Sequence, residues 1–270
     1  MPTATSPQGD SNGGGGLSYA FYRSIMSRLN DAGVPFLVGG AYALAYYTTI
    51  MRSTKDFDVF VRRQDMERTL AALESGDCRT EFTYPHWLGK AICGDDLVDI
   101  IFSSGNAIAN VDDEWFAHAP TTDVLGMQAH VSPAEEMIWS KAFIQERERF
   151  DGGDVLHLIL RCGPTLDWPR LLRRFGEHWR VLLSHLVTFG FVYPCEQSVP
   201  QWVLDQLLAR LQKEIADPPR GGRICRGPLL SRAQYLVDIE EWGYADARVG
   251  PHGLMTETEV ARWTAAIDGP

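Results

Sequence analysis

The chain has 270 residues, 45% of them hydrophobic and 11% aromatic, enough to bury a substantial core and to exclude global disorder. A formal charge of −10 and a pI near 5.2 exclude a protein that coats nucleic acid by bulk charge. The acidity is uneven: Arg outnumbers Lys 21 to 4, and residues 141–232 hold fourteen basic side chains against ten acidic ones.

Residues 1–16 are polar and end in four Gly, which predicts a disordered tail and no signal peptide. Leu17–Ala32 places Leu17, Phe21, Ile25 and Leu29 at i+4 spacing, a helix that Gly33 can close. Val34–Val38 is a short apolar strand running straight into Gly39-Gly40, and Ala41–Ile50 is a helix. Phe57–Val61 alternates as a strand, and Met66–Leu73 is a helix closed by Ser75-Gly76. His86–Cys93 and Leu97–Phe102 form a hairpin about Gly94-Asp95-Asp96, and Val124–Val131 is a further strand broken at Gly126. At Ser132 the texture turns helical. The run SPAE is a capping box, with Ser132 as N-cap, Pro133 at the first helical position and Glu135 three residues on. Helices are expected over Ala134–Arg147, Asp154–Arg161, Pro169–Phe175, His178–Phe189 and Gln201–Ala216, with one more near Leu230–Trp242. The organisation that follows is a tail (1–16), an α/β catalytic domain (17–132), a helical domain (133–216) and an Arg/Gly/Pro-rich C-terminal segment (217–270).

Five scattered Cys without a CxxC pair argue against a disulfide framework and a structural zinc site, and seven His without HxH or HxxxH spacing argue against a His-ligated metal. The longest apolar stretch, Val181–Tyr193, is shorter than the roughly 20 residues a membrane span needs. These features read as a cytoplasmic protein with no membrane partner. The charge run Glu146–Arg149 reads as a solvated face.

The chemistry concentrates in LVGGAYALAYYTTIMRSTKDFDVFV. Glycines between a strand and a helix let the backbone approach a ligand, and a helix N-terminus offers free N–H groups to phosphate. Asp56 and Asp58 lie two apart on a strand, so both carboxylates share one face. Like charges held together require a cation, and Mg2+ suits carboxylate and phosphate oxygens. Asp99 lies inside the apolar run LVDIIF, and if that strand neighbours Phe57–Val61 three carboxylates converge. Such a set suits two-metal in-line phosphoryl or nucleotidyl transfer. No GxGxxG or GxxxxGK[ST] loop is present.

Gly39-Gly40, a helix, Arg52-x-Thr54-x-Asp56-x-Asp58 and a later strand Asp resemble the nucleotidyltransferase superfamily typified by DNA polymerase β. Within it the chain is most similar to stand-alone bacterial members of the abortive-infection toxin type and to small antibiotic nucleotidyltransferases. The resemblance covers about residues 17–160. It implies an α+β fold, a nucleotidyltransferase-type mixed β-sheet flanked by helices and followed by a helical C-terminal domain. It also implies transfer of NMP from an NTP to a hydroxyl of an RNA 3′ end, a protein or a small molecule, and a cognate antitoxin if the chain is a toxin. Carried over, Gly39 and Gly40 hold the triphosphate, Asp56, Asp58 and Asp99 bind Mg2+, and Asp99 accepts the proton of the attacking hydroxyl. Lys141 and Asp154 match a Lys and a later Asp of the toxin-like branch, and Arg52 and Thr54 either contact nucleotide or brace the start of the strand. Gly40 replaces the Ser usual after the first Gly, and fifteen residues separate it from Asp56, more than in compact members. The alternative is a binding or regulatory module that keeps the fold without turnover. The Arg-rich stretches Arg161–Arg180 and Arg220–Arg232 would steer an anionic acceptor such as RNA, whereas a cationic one would seek Asp95, Asp96 and Asp112–Glu114.

Overall fold

The alternation read in DFDVF places Phe57 and Val59 inside and the two Asp on the opposite face, and this strand sits near the middle of a mixed sheet. The computed structural model describes residues 15–52, 54, 56–74, 78–218 and 222–266. Helix α1 (Gly15–Asp31) leads to β1 (Leu37–Val38), α2 (Gly40–Thr48), β2 (Asp56–Phe60) and α3 (Met66–Leu73). Then come β3 (Cys78–Tyr84), β4 (Leu88–Cys93) and β5 (Asp96–Ile101), which complete a sheet of order β1-β2-β5-β4-β3. Within this sheet the β2–β5 pair runs parallel and the other pairs antiparallel. One face is sealed by α1 and α3: Tyr22 stacks on Phe57 with ring centroids 4.8 Å apart, and Met66 occupies the space where Gly89 lacks a side chain. Ile25, Met26, Leu29, Leu70 and Leu73 fill the same layer.

After the sheet, α4 (Asp113–Ala117) is capped by the Asp112 carboxylate, which accepts from the N–H groups of Glu114 and Trp115. The single strand expected at Val124–Val131 is a hairpin, β6 (Thr121–Val124) and β7 (Met127–His130). Leu125 and Gly126 both take positive φ, the turn that matches strand twist. The helical half follows with α5 (Ala134–Ala142), α6 (Gly152–Cys162), α7 (Trp168–Phe175), α8 (Trp179–Val192) and α9 (Gln201–Ala216). Helix α6 packs on α2, joining this half to the sheet. The C-terminal segment adds β8 (Ile224–Cys225), α10 (Leu236–Glu240), β9 (Ala245–Asp246), parallel to β8, and α11 (Glu257–Ala265). A mixed sheet with flanking and following helices is the α+β architecture that the resemblance implies. No described helix is long and apolar enough to cross a membrane.

Three expectations are corrected. Cys78 and Cys93 face each other directly across β3–β4 and are disulfide-bonded; the pairing was hidden because β3 itself was not foreseen. Ser132 does not cap α5: Pro133 takes the N-cap position and the Ser132 hydroxyl has no hydrogen-bond partner among the described residues. Glu135 is drawn away to α7, where its carboxylate accepts from Asp167 N at 2.7 Å and pairs with Arg170 at 2.7 Å. The complete capping box lies instead at Thr256 and Glu259, opening α11. Finally, the arginines do not form an open basic field. Arg174 binds Asp112 and Glu136, Arg180 binds Glu214, Arg226 binds Glu177 and Arg232 binds Glu146. Arg161 and Arg173 remain exposed, and Arg220 and Ser75-Gly76 lie outside the described residues.

Arg170 is the pivot of the helical half. It is 3% exposed and pairs with Glu135 and with Glu136, which is fully buried. Burial pushes the Glu136 carboxyl above its ordinary value against the pull of Arg170 and Arg174. Removing one partner of such a cluster strands a buried charge, at a cost of about 3–5 kcal/mol. Arg170→Met is therefore expected to lower unfolding stability in urea by about that amount. A loss under about 1 kcal/mol, the surface-pair range, would show that α5 and α7 do not depend on it.

Candidate active site

Gly39 is the N-cap of α2, and its N–H donates to Asp58 O at 2.9 Å, which ties the helix start to β2. A Cβ on Gly39 would lie 2.1 Å from the Phe60 ring. Gly40 has φ +51°, and a Cβ there would lie 1.7 Å from Asp58 Oδ2. Both glycines are therefore required by the side chains of β2 that they cover, and the first turn of α2 is brought against the Asp58 carboxylate.

The parallel register sets Asp58 beside Asp99, and Asp56 stands opposite Leu97 at the exposed end of β2. Burial, and then the charge of Asp99, push the Asp58 carboxyl up to about 6. Lys141 and Arg149 pull it the other way. Burial also raises the Asp99 carboxyl, countered first by Lys90, whose Nζ lies 3.3 Å from Asp99 Oδ1. Lys90 reaches it because the β4–β5 register places the two residues opposite each other. Asp56 adds its repulsion to both. Among the described residues no group of three or more Asp, Glu, His or Cys side chains is placed to hold a metal ion. Asp58 and Asp99 differ in their pairing: Asp99 leans to Lys90, and among the described residues Asp58 makes no ion pair.

Lys141, in the last turn of α5, donates to Asp151 at 2.7 Å and to Asp154 at 2.8 Å. Arg52 pairs with the other oxygen of Asp154 at 2.6 Å, and Arg149 grips Asp151 with two hydrogen bonds of 2.9 and 3.0 Å. Against the upward push of burial, Arg149 and Lys141 hold the Asp151 carboxyl below its ordinary value. Thr54 accepts from Asp56 N and donates to Asp56 O, so its hydroxyl braces the start of β2.

A cavity of about 330 Å³ brings Gly40, Asp58, Asp99 and Lys141 together with Arg149 and Asp151. Gly39, Arg52, Thr54, Asp56 and Asp154 are not among its lining residues. Arg149 ends a run, Glu146–Arg149, whose alternating charge reads as a solvated face, and Asp151 lies just beyond it. Glu146, Glu148 and Arg149 in fact line the cavity, which corrects that expectation. The signal that could have found them is the short spacing Arg149-x-Asp151-x-x-Asp154 directly after Lys141.

No family model matches the chain, and no curated protein sequence matches it. Among solved structures, the chain is similar to ANT(2'')-Ia in complex with adenylyl-2''-tobramycin, with 16% identity and a TM-score of 0.39 over 72% of this chain and 99% of that one. It is similar to the lincosamide antibiotic adenylyltransferase LnuA, lincomycin-bound, with 15% identity and a TM-score of 0.38 over 52% of this chain and 94% of that one. A third is an antigenic nucleotidyltransferase-like protein from Paracoccidioides brasiliensis, with 14% identity and a TM-score of 0.37 over 64% and 93%. These likenesses are remote, and the function of this chain rests on its own side chains.

Asp58 has a higher pKa folded than unfolded, so the folded state takes up this proton first as pH falls. The stability from this group is fully present below the unfolded value and is lost as pH rises through about 6. In metal-free buffer, Asp58→Asn is expected to be more stable to urea than the wild type at about pH 7.5, with the difference vanishing near pH 4. A variant less stable than wild type across that whole range contradicts the crowding of Asp58 by Asp99.

Proposed function

We propose that this chain is a nucleotidyltransferase that moves an NMP group from an NTP to a hydroxyl acceptor with the help of Mg2+. The observation that carries the reading is the side-by-side placement of Asp58 and Asp99 against the first turn of α2, in a cavity shared with Lys141 and Arg149. The donor chemistry fits a hard divalent cation: oxygen only, two carboxylates in register, a third two residues along the strand, and a charge on Asp58 that no cation among the described residues neutralises by direct pairing. Asp56, Asp58 and Asp99 would hold Mg2+, which supplies neutralising charge to the triphosphate and acidifies the acceptor hydroxyl.

The roles of the chain's own groups follow from their positions. Gly39 and Gly40 leave the N-terminal N–H groups of α2 open to phosphate oxygens. Asp99, its pKa raised by burial, takes the proton of the attacking hydroxyl. The new bond joins that oxygen to the α-phosphorus, the bond from the α-phosphorus to the bridging oxygen breaks, and pyrophosphate leaves. Lys141 and Arg149 stabilise the charge that collects on the leaving pyrophosphate. Asp151 and Asp154 hold these two cations in place, Arg52 pairs with Asp154, and Thr54 fixes the start of β2. The acceptor is a hydroxyl of an RNA 3′ end, a protein or a small molecule. In a toxin of the abortive-infection type with a cognate antitoxin, expression would arrest growth through this same transfer.

The test is transfer of label from α-labelled NTPs to a cell extract, with release of pyrophosphate. Wild type is expected to transfer in Mg2+ and to stop in EDTA. Asp58→Asn and Gly40→Ala are each expected to lose at least about a hundredfold in rate, the scale for one preorganised electrostatic contact. Lys141→Ala should raise the requirement for NTP as well as slow turnover. A wild type that binds NTP and metal but never releases pyrophosphate would establish the silent binding module instead.

A further inference from the structure

Asp99 stands in a row of side chains that the strand registers set across the polar face of the sheet. Lys90 on β4 lies directly opposite Asp99 on β5, and Asp99 lies directly opposite Asp58 on β2. Side chains paired in this way share a face. The next residues along, Ala91, Val98 and Phe57, are paired in the same manner and lie in the apolar core on the other face. Across the sheet the polar row therefore reads ammonium, carboxylate, carboxylate, and it ends where Gly40 covers Asp58.

The oxygens of this row are unequally engaged. Asp99 Oδ1 lies 3.3 Å from Lys90 Nζ, and among the described residues Lys90 pairs with no other carboxylate. Both side chains are largely covered, Lys90 25% and Asp99 17% exposed, so little water screens the pair. Lys90 is not among the residues that line the cavity, whereas Asp99 is. The ammonium thus approaches from the flank and leaves Asp99 Oδ2 for the cavity. Asp58 Oδ2 is turned against Gly40, where a Cβ would lie 1.7 Å from it. The other carboxylates that line the cavity are already paired: Asp151 with Lys141 and Arg149, and Glu146 and Glu148 with Arg232. Asp56, at the exposed end of β2, is not a lining residue.

Two cations about 3.5–4 Å apart need a carboxylate between them that gives one oxygen to each. Asp99 cannot bridge in this way while Lys90 holds Oδ1. A single Mg2+ asks for less: one or two carboxylates, with substrate phosphates and water completing its shell. Asp58 and Asp99 offer that much.

We propose that Lys90 stands in for a second metal ion: its ammonium neutralises Asp99 from the flank and holds the site to one divalent cation, bound between Asp58 and Asp99. This rests on the nucleotidyltransferase reading and departs from the two-metal arrangement that three converging carboxylates suit. Lys90 is a positioning residue. It fixes which oxygen of Asp99 turns to the cavity and touches neither nucleotide nor acceptor.

The test counts ions directly. Mn2+ is titrated into the full chain with one equivalent of a non-hydrolysable NTP analogue, each base in turn. Unbound Mn2+ is read from its electron paramagnetic resonance signal, with analogue alone as the blank. Wild type is expected to take up one ion per chain and to give the spectrum of an isolated Mn2+. Asp58→Asn should weaken that ion at least about tenfold. Lys90→Ala frees Asp99 Oδ1 and should take up two ions, with the spectrum of a spin-coupled pair. Lys90→Gln, nearer in size, should do the same, and Lys90→Arg, which keeps the charge, should stay at one. A merely structural ion pair would lower stability in Lys90→Ala without changing its count of ions. Two ions in the wild type, or one ion in both Lys90→Ala and Lys90→Gln, overturns the inference and leaves the nucleotidyltransferase reading in place. A wild type that binds an analogue but no Mn2+ beyond the blank, or that binds no analogue, strikes that reading itself, and the inference with it.

Discussion

The parallel pairing of β2 with β5 holds two carboxylates side by side in a half-buried place, and much of the surrounding structure accommodates that repulsion. Asp58 and Asp99 cannot separate, because Phe57, Val59, Val98 and Ile100 anchor the same strands in the apolar layer beneath α1 and α3. Lys90 neutralises one of the pair from the neighbouring strand. The other is covered by Gly40, where any side chain would collide with it. A fold under no functional demand would replace such a pair with apolar or singly charged residues, since buried like charges cost stability without return.

The helical half completes the site by a second electrostatic device. Lys141 and Arg149 reach the cavity only because Asp151 and Asp154 fix their directions, and Arg52 ties Asp154 back to the segment before β2. The two halves are thus linked through charge at the site as well as through packing of α6 on α2. Deeper in the helical half, Arg170 with Glu135 and Glu136 fixes α5 against α7, and so fixes the end of α5 that carries Lys141.

What the sequence made legible follows the strength of local signals. Met66–Leu73 and Gln201–Ala216 have the observed bounds because their apolar spacing and flanking residues agree. Asp56, Asp58 and Asp99 could be placed on strands because each sits among β-branched and aromatic neighbours. Strand β3 is hard to read because it is an edge strand in which Arg79, Thr80, Glu81 and Thr83 dilute its apolar positions, and the Cys78–Cys93 pairing is hidden with it. Helix α11 was missed because it is short and without a buried face, although Thr256-x-x-Glu259 announced its start. The box at Ser132 misled because a tertiary partner, Arg170, outcompeted the local cap for Glu135. The arginines misled for a related reason: sequence shows their charge but not the carboxylates that long-range folding brings to them.

The central claim is that Asp58 and Asp99 form a cation site. The most direct measurement is an anomalous-difference map from crystals soaked with Mn2+ and a non-hydrolysable NTP analogue. The account predicts a peak between these two carboxylates with the triphosphate reaching the first turn of α2. A bound nucleotide with no peak there, and with Lys90 still paired to Asp99, would contradict it.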